Sequence, residues 1–121
     1  MITALTRGKR AEQQAERWLR RQGLRSVARN VRCRLGELDL IMMDGDILAI
    51  IEVKQRASAA FGGAAASVTR HKQRRIVAAT RWWLSCHPDQ SERVIRFDVL
   101  ALDGPAPQPQ IHWIKGAFDA E

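Results

Sequence analysis

The chain has 121 residues, 45% of them hydrophobic and 27% charged, with a formal net charge of +7. This fits one globular domain able to bury a core of its own and excludes a disordered chain. The longest unbroken apolar stretch, Ile47 to Ile51, falls far short of the ~20 residues a membrane-spanning helix needs.

In chain order, residues 6–22 read as an amphipathic helix, with Ala11, Ala15, Trp18 and Leu19 at helical spacing and Gly23 as its stop. Leu24 to Val31 reads as a first strand. Glu37 to Met43 and Ile47 to Lys54 read as two strands joined at Asp44-Gly45, because glycine accepts the positive φ that tight hairpin turns require. Residues 55–67, rich in Ala, Gly and Ser, read as a loop. A second helix is expected from Val68 to Ser85, with Val68, Ile76, Ala79 and Trp83 as its apolar stripe and Pro88 beyond its end. Val94 to Leu102 and Ile111 to Ile114 complete the set as strands, giving an α/β fold with a central mixed sheet flanked by helices. Charge interrupts the first thirty residues throughout, so no secretory leader is expected and a cytoplasmic location is. Cys33 and Cys86 have no ligand spacing and read as free thiols, and His71, His87 and His112 are scattered. Trp18, Trp82 and Trp83, at helical spacing, are expected in the core.

The charge is unevenly placed. Residues 1–35 carry ten basic and two acidic side chains, and residues 55–81 carry six basic and none acidic. Between them, residues 36–54 carry five acidic side chains against one lysine. Of the 20 basic residues 16 are arginine, the side chain best shaped for phosphate.

The acidic island has a definite geometry if Asp44-Gly45 is a two-residue turn. Asp39 then faces Ile50 and Glu37 faces Glu52, so that Glu37, Asp39, Glu52 and Lys54 share one side of the hairpin. Asp39 and Glu52 become diagonal neighbours, about 7–8 Å apart at the backbone. The opposite side, with Leu38, Leu40, Met42, Ala49 and Ile51, is apolar and must be buried. Carboxylates this close repel unless a cation joins them. Mg²⁺ or Mn²⁺ suits such a set, because hard cations prefer carboxylate oxygen and keep several waters. Lys54 has the parity to neutralise charge developing on a phosphate.

Asp39 followed by Glu52-Val53-Lys54 resembles the PD-(D/E)xK motif of restriction-endonuclease-like nucleases, although Leu38 stands where the motif has proline. More of the chain resembles the YraN family, bacterial proteins related to archaeal Holliday-junction resolvases. The matching stretches are Ala11-Glu12, Arg29-Asn30, Gly36 to Ile41, Glu52 to Arg56, Phe61-Gly62, Lys72, Arg96 to Val99 and Ala117-Phe118. The resemblance implies a restriction-endonuclease-like fold and a Mg²⁺- or Mn²⁺-dependent DNA endonuclease. It implies Asp39 and Glu52 as metal ligands, Lys54 as the catalytic lysine, and Glu12 as the helical acid brought to the metal. Glu16, one turn further along, is a second helical candidate. Resolvase relatives act as homodimers that cut two strands symmetrically, so a second copy of the chain is a partner to test.

The basic blocks supply the expected grip on nucleic acid: Arg7, Lys9 and Arg10 beside Glu12, and Arg56, Arg70, Lys72, Arg74 and Arg75 after the motif. Clustered arginine favours reading the shape of a branched or single-stranded DNA backbone over reading bases. A non-catalytic nucleic-acid-binding accessory protein that keeps the nuclease fold is the alternative.

Overall fold

The structure is a computed structural model that describes residues 4–57, 63–105 and 107–120. Helix α1 spans Ala4–Arg21 and buries Ala11, Ala15 and Leu19, one residue per turn on a single side. It ends as the sequence suggests. Gly23 adopts φ +102°, its N–H bonds Arg20 O at 3.0 Å, and Leu24 N–H reaches back to Leu19 O at 3.1 Å, the paired closure that a left-handed glycine makes available.

Five strands follow in two groups. Strands β1 (Arg25–Cys33), β2 (Gly36–Asp44) and β3 (Ile47–Arg56) form an antiparallel meander. Helix α2 (Arg70–Cys86) then carries the chain over the sheet so that β4 (Val94–Asp103) pairs parallel to β3, and β5 (Gln110–Phe118) returns antiparallel beside β4. The sheet order is β1-β2-β3-β4-β5, so β3, with its continuous apolar run, is the central strand. The mixed α/β class holds, and the last strand is longer than the four residues expected. No helix among the described residues is long and apolar enough to cross a membrane.

Both sides of the sheet are buried. Ala11, Ala15 and Leu19 of α1 pack on Leu40, Met42, Ala49, Ile51, Leu100 and Leu102. Ile76, Ala79 and Trp83 of α2 pack on Leu38, Ile41, Met43, Leu48, Ile50 and Val99. The expectation of one apolar and one acidic side to the hairpin is therefore corrected: the side that carries the acids is apolar for most of its length, and the carboxylates occupy only its end. Of the three tryptophans expected in the core, Trp83 is buried and Trp18 is half-buried edge-on against Trp113. Trp82 is exposed.

The hairpin register is corrected as well. Asp44 pairs with Ile47 and Met43 with Leu48, so the two loop residues are Gly45 and Asp46 rather than Asp44 and Gly45. The reason lies in where the turn needs its glycine: Gly45 takes φ +60° as the first loop residue, the position that a turn with one left-handed residue assigns to glycine. The shift of two places in pairing makes Leu40 and Ile51 the last rung of the ladder, with Asp39 and Glu52 the next residues beyond it.

In the middle of β4, buried Asp98 ties that strand to β5. It accepts two hydrogen bonds from Arg96 at 2.8 Å each, one from Trp113 Nε1 at 3.1 Å and one from Gly116 N–H at 3.0 Å. Arg96 extends the tie to Asp44 of β2 at 2.9 Å.

Candidate metal and nucleic-acid site

The β2–β3 ladder stops at Leu40 and Ile51, while the β3–β4 ladder continues to Arg56 and Asp103. Beyond that rung β2 leaves the sheet plane it shares with β3. Leu38 packs in the α2-side core and Leu40 in the α1-side core, although residues two apart on a regular strand share a side. The strand therefore rolls over at Asp39. The Val53 N–H, left without a backbone partner on β2, donates instead to Asp39 Oδ2 at 2.9 Å. A carboxylate thus fills the fork between two strands.

Asn30 mirrors this distortion on β1. The β1–β2 pairing includes Arg29 with Leu40 and Val31 with Leu38, which places Asn30 opposite Asp39. Among the described residues it is the one non-glycine residue with positive φ, 53°, a conformation asparagine tolerates better than most residues. Both strands depart from regular geometry at the same rung.

The fork opens into a cleft of about 310 Å³ lined by Lys9 and Glu12 of α1, Asn30 and Arg32 of β1, Glu37 and Asp39 of β2, Glu52 to Lys54 of β3, and Lys72 of α2. Glu12, Asp39, Glu52 and Lys54, named from sequence, are thus brought together. Burial and the charge of Glu52 push the Asp39 carboxyl up to about 8, and only the Val53 N–H works against them. Burial, then Glu37 and Glu52, raise the Glu12 carboxyl, whereas Arg32 and the Asn30 side chain lower it. Glu12 Oε1 is buried without a hydrogen-bond partner, a costly condition for a polar atom. Among the described residues no three His, Cys, Asp or Glu side chains stand in a ready-made metal cage. Glu52, only 5% exposed, instead meets Lys72 Nζ at 2.8 Å. Burial works against the Lys72 ammonium, but the hydrogen bond and charge of Glu52 outweigh it and hold the amine above its ordinary range.

The remaining sequence candidates divide. Lys9 lines the cleft, and Lys72 and Arg75 line a neighbouring basin with Thr69, His71, Ile76 and Glu37. Arg10, Arg70 and Arg74 are exposed, and the side chain of Arg7 lies outside the described residues, as do Phe61 and Gly62. Arg56 makes a two-pronged contact with buried Asp103, at 2.6 and 2.8 Å, and holds that carboxyl below its usual range. Its guanidinium braces β3 against β4. Glu16 faces away from the cleft, binding Arg29 Nη1 at 3.0 Å and Ser26 Oγ at 2.9 Å. Asn30, Arg32, Glu37 and Val53 line the cleft although the sequence did not single them out as catalytic, metal or nucleic-acid-binding residues. The signal for Asn30 was an isolated asparagine inside a strand-like run, a residue type suited to a left-handed kink.

A family model described as "Uncharacterised protein family UPF0102" matches residues 11–102. A UPF0102 protein of Bordetella avium is 51% identical over 112 residues, 93% of this chain and 74% of its own length. Those of Aeromonas hydrophila and Alcanivorax borkumensis are 47% and 44% identical, over 96% and 94% of this chain and 87% and 92% of their own lengths.

Proposed function

Since this chain belongs to the UPF0102 (YraN) family, whose activity is uncharacterised, we propose from the cleft itself that it is a divalent-cation-dependent DNA endonuclease. Its fold on this reading is of the restriction-endonuclease-like type, and its substrates are branched or single-stranded DNA. The observation that carries the reading is the crowding of Glu12, Asp39 and Glu52 in one half-closed cleft, with Asp39 pushed up to about 8 by burial and its acidic neighbour.

The donor set fits a hard cation. Every candidate ligand is a carboxylate oxygen, Glu12 Oε1 lacks any partner, and Mg²⁺ needs only one or two carboxylates because it keeps its waters. Asp39 and Glu52 would hold the ion and Glu12 would complete the acidic wall. When bound, Mg²⁺ or Mn²⁺ supplies Lewis-acid activation of a phosphodiester and of the attacking water. The chain's own residues do the rest. Val53 N–H fixes the Asp39 carboxylate from behind. Lys54, half-buried at the cleft wall, neutralises charge developing on the phosphate oxygens. Lys9 and Arg32 at the rim, with His71 and Arg75 in the adjoining basin, hold the phosphates on either side.

A binding-only accessory protein is the second reading, favoured by the Lys72–Glu52 ion pair, which neutralises part of the cleft without a metal. One experiment separates them: branched, single-stranded and duplex DNA incubated with the protein in Mg²⁺, Mn²⁺ or chelator. Cutting that needs the metal and drops at least ~100-fold in Asp39→Ala and Glu52→Ala supports the nuclease. Tight binding with no cutting of any substrate sinks it.

A further inference from the structure

Lys72 stands between two compartments, one holding Asp39 and Glu52 and the other holding Arg75. It lines the cleft with Glu12, Asp39 and Glu52, and it also lines the neighbouring basin with His71, Arg75 and the exposed Glu37. Its backbone is fixed in the first turn of α2, where its N–H donates to the Thr69 hydroxyl at 3.1 Å. Its side chain is 45% exposed and its Nζ rests on Glu52 Oε1 at 2.8 Å. A lysine is a point charge on a flexible four-carbon stem, so from a fixed backbone the amine can serve either compartment. A divalent cation and the Lys72 ammonium compete for the same carboxylate. A nucleic-acid phosphate and Glu52 compete for the same ammonium.

We propose that Lys72 couples cation binding to nucleic-acid binding: without nucleic acid it takes the cation's place on Glu52, and a phosphodiester entering the basin draws it away. The inference rests on the reading of the cleft as a cation site and adds the order of events there. Cation affinity is low in the free protein and rises when a phosphodiester is present. By linkage the cation raises nucleic-acid affinity by the same factor. The arrangement makes Lys72 a determinant of when the site is loaded.

The test measures Mn²⁺ binding to the full chain by calorimetry, with and without a four-way-junction oligonucleotide whose linkages are phosphorothioate. In the native protein the junction should tighten Mn²⁺ binding about 10-fold, within the usual range of coupling between sites. Lys72→Met should bind Mn²⁺ about 10-fold tighter than the native protein when no DNA is present, because a competing cation is gone. DNA should then change that affinity little. Lys72→Arg, which keeps the charge, should retain most of the coupling. If Lys72→Met is less stable, the rise in melting temperature on adding Mn²⁺ reads the same quantity and should exceed that of the native protein. Weaker or unchanged Mn²⁺ binding in Lys72→Met overturns the proposal, because a lysine that merely positions Glu52 would give that sign. Full coupling retained in Lys72→Met overturns it too. Native protein that binds no Mn²⁺ under either condition overturns the cation-site reading and the coupling with it, an outcome distinct from the other two.

Discussion

Asp39 holds together the backbone, the electrostatics and the chemistry of this molecule. Its carboxylate takes the place of a missing ladder bond at Val53 and faces Glu52 across the fork, and burial with that neighbour pushes it up to about 8. The sign of the consequence is fixed. The folded chain keeps a proton at Asp39 that the unfolded chain releases near the ordinary 3.8, so this contribution to stability is complete below about pH 4 and is lost as pH rises through about 8. The native protein should therefore unfold at lower urea concentration at pH 9 than at pH 6. Asp39→Asn should flatten that difference and be the more stable of the two at pH 9, and equal slopes in both proteins would contradict the assignment. Mn²⁺ affinity should rise over the same range, because the ion must displace the proton.

At the level of elements, the site depends on how closely α2 approaches β2. A Cβ added at Gly36 would stand 2.8 Å from the backbone carbonyl oxygen of Arg75, too near for any side chain, and backbone cannot swing aside as a side-chain tip does. Gly36→Ala should therefore push α2 outward, cost about 1–3 kcal/mol of stability, and weaken the reach of Lys72 to Glu52. Thermal unfolding reads the first effect and Mn²⁺ calorimetry the second; an unchanged melting temperature would mean that the contact is looser than it stands. Much at this level was legible in the sequence. The periodicity of Ala11, Ala15 and Leu19 placed α1, and the apolar run Ile47 to Ile51 marked the central strand. The acids between two basic blocks marked the cleft. Three features were not legible, each for a physical reason. The hairpin register depends on which loop position takes the left-handed φ, and Asp44-Gly45 and Gly45-Asp46 both offer Gly45. The roll of β2 at Asp39 is a tertiary event, made where two strands part. The fate of Arg56 turned on Asp103, 47 residues away along the chain, which no local pattern links to it.

Across the whole molecule the net charge of +7 becomes a rim around an acidic fork. Lys9, Arg32 and Lys54 line it, and Lys72 and Arg75 line the adjoining basin. If the rim neutralises four to six phosphates, the logarithm of duplex-DNA affinity should fall with the logarithm of salt concentration at a slope of about −4 to −5. Fluorescence anisotropy from 50 to 300 mM KCl measures this, and a slope near zero would mean that the basic surface does not meet the phosphates. The parallel pairing of β3 with β4 has a further consequence, in time rather than in space. The β2–β3 hairpin closes through a two-residue loop, whereas β4 can join only after the chain has crossed the sheet through α2, and contacts between distant segments form late. If the hairpin forms first, Asp39 and Glu52 meet before the helix that carries Lys72 has docked, and the early hairpin holds its acids without their counter-ion. Mn²⁺ should accordingly speed refolding in stopped-flow experiments, and an effect confined to the unfolding rate would place the meeting of the two carboxylates after the barrier. On the proposed reading the like charges gather first and are neutralised last, and the ion that would fill the finished site would also ease its assembly.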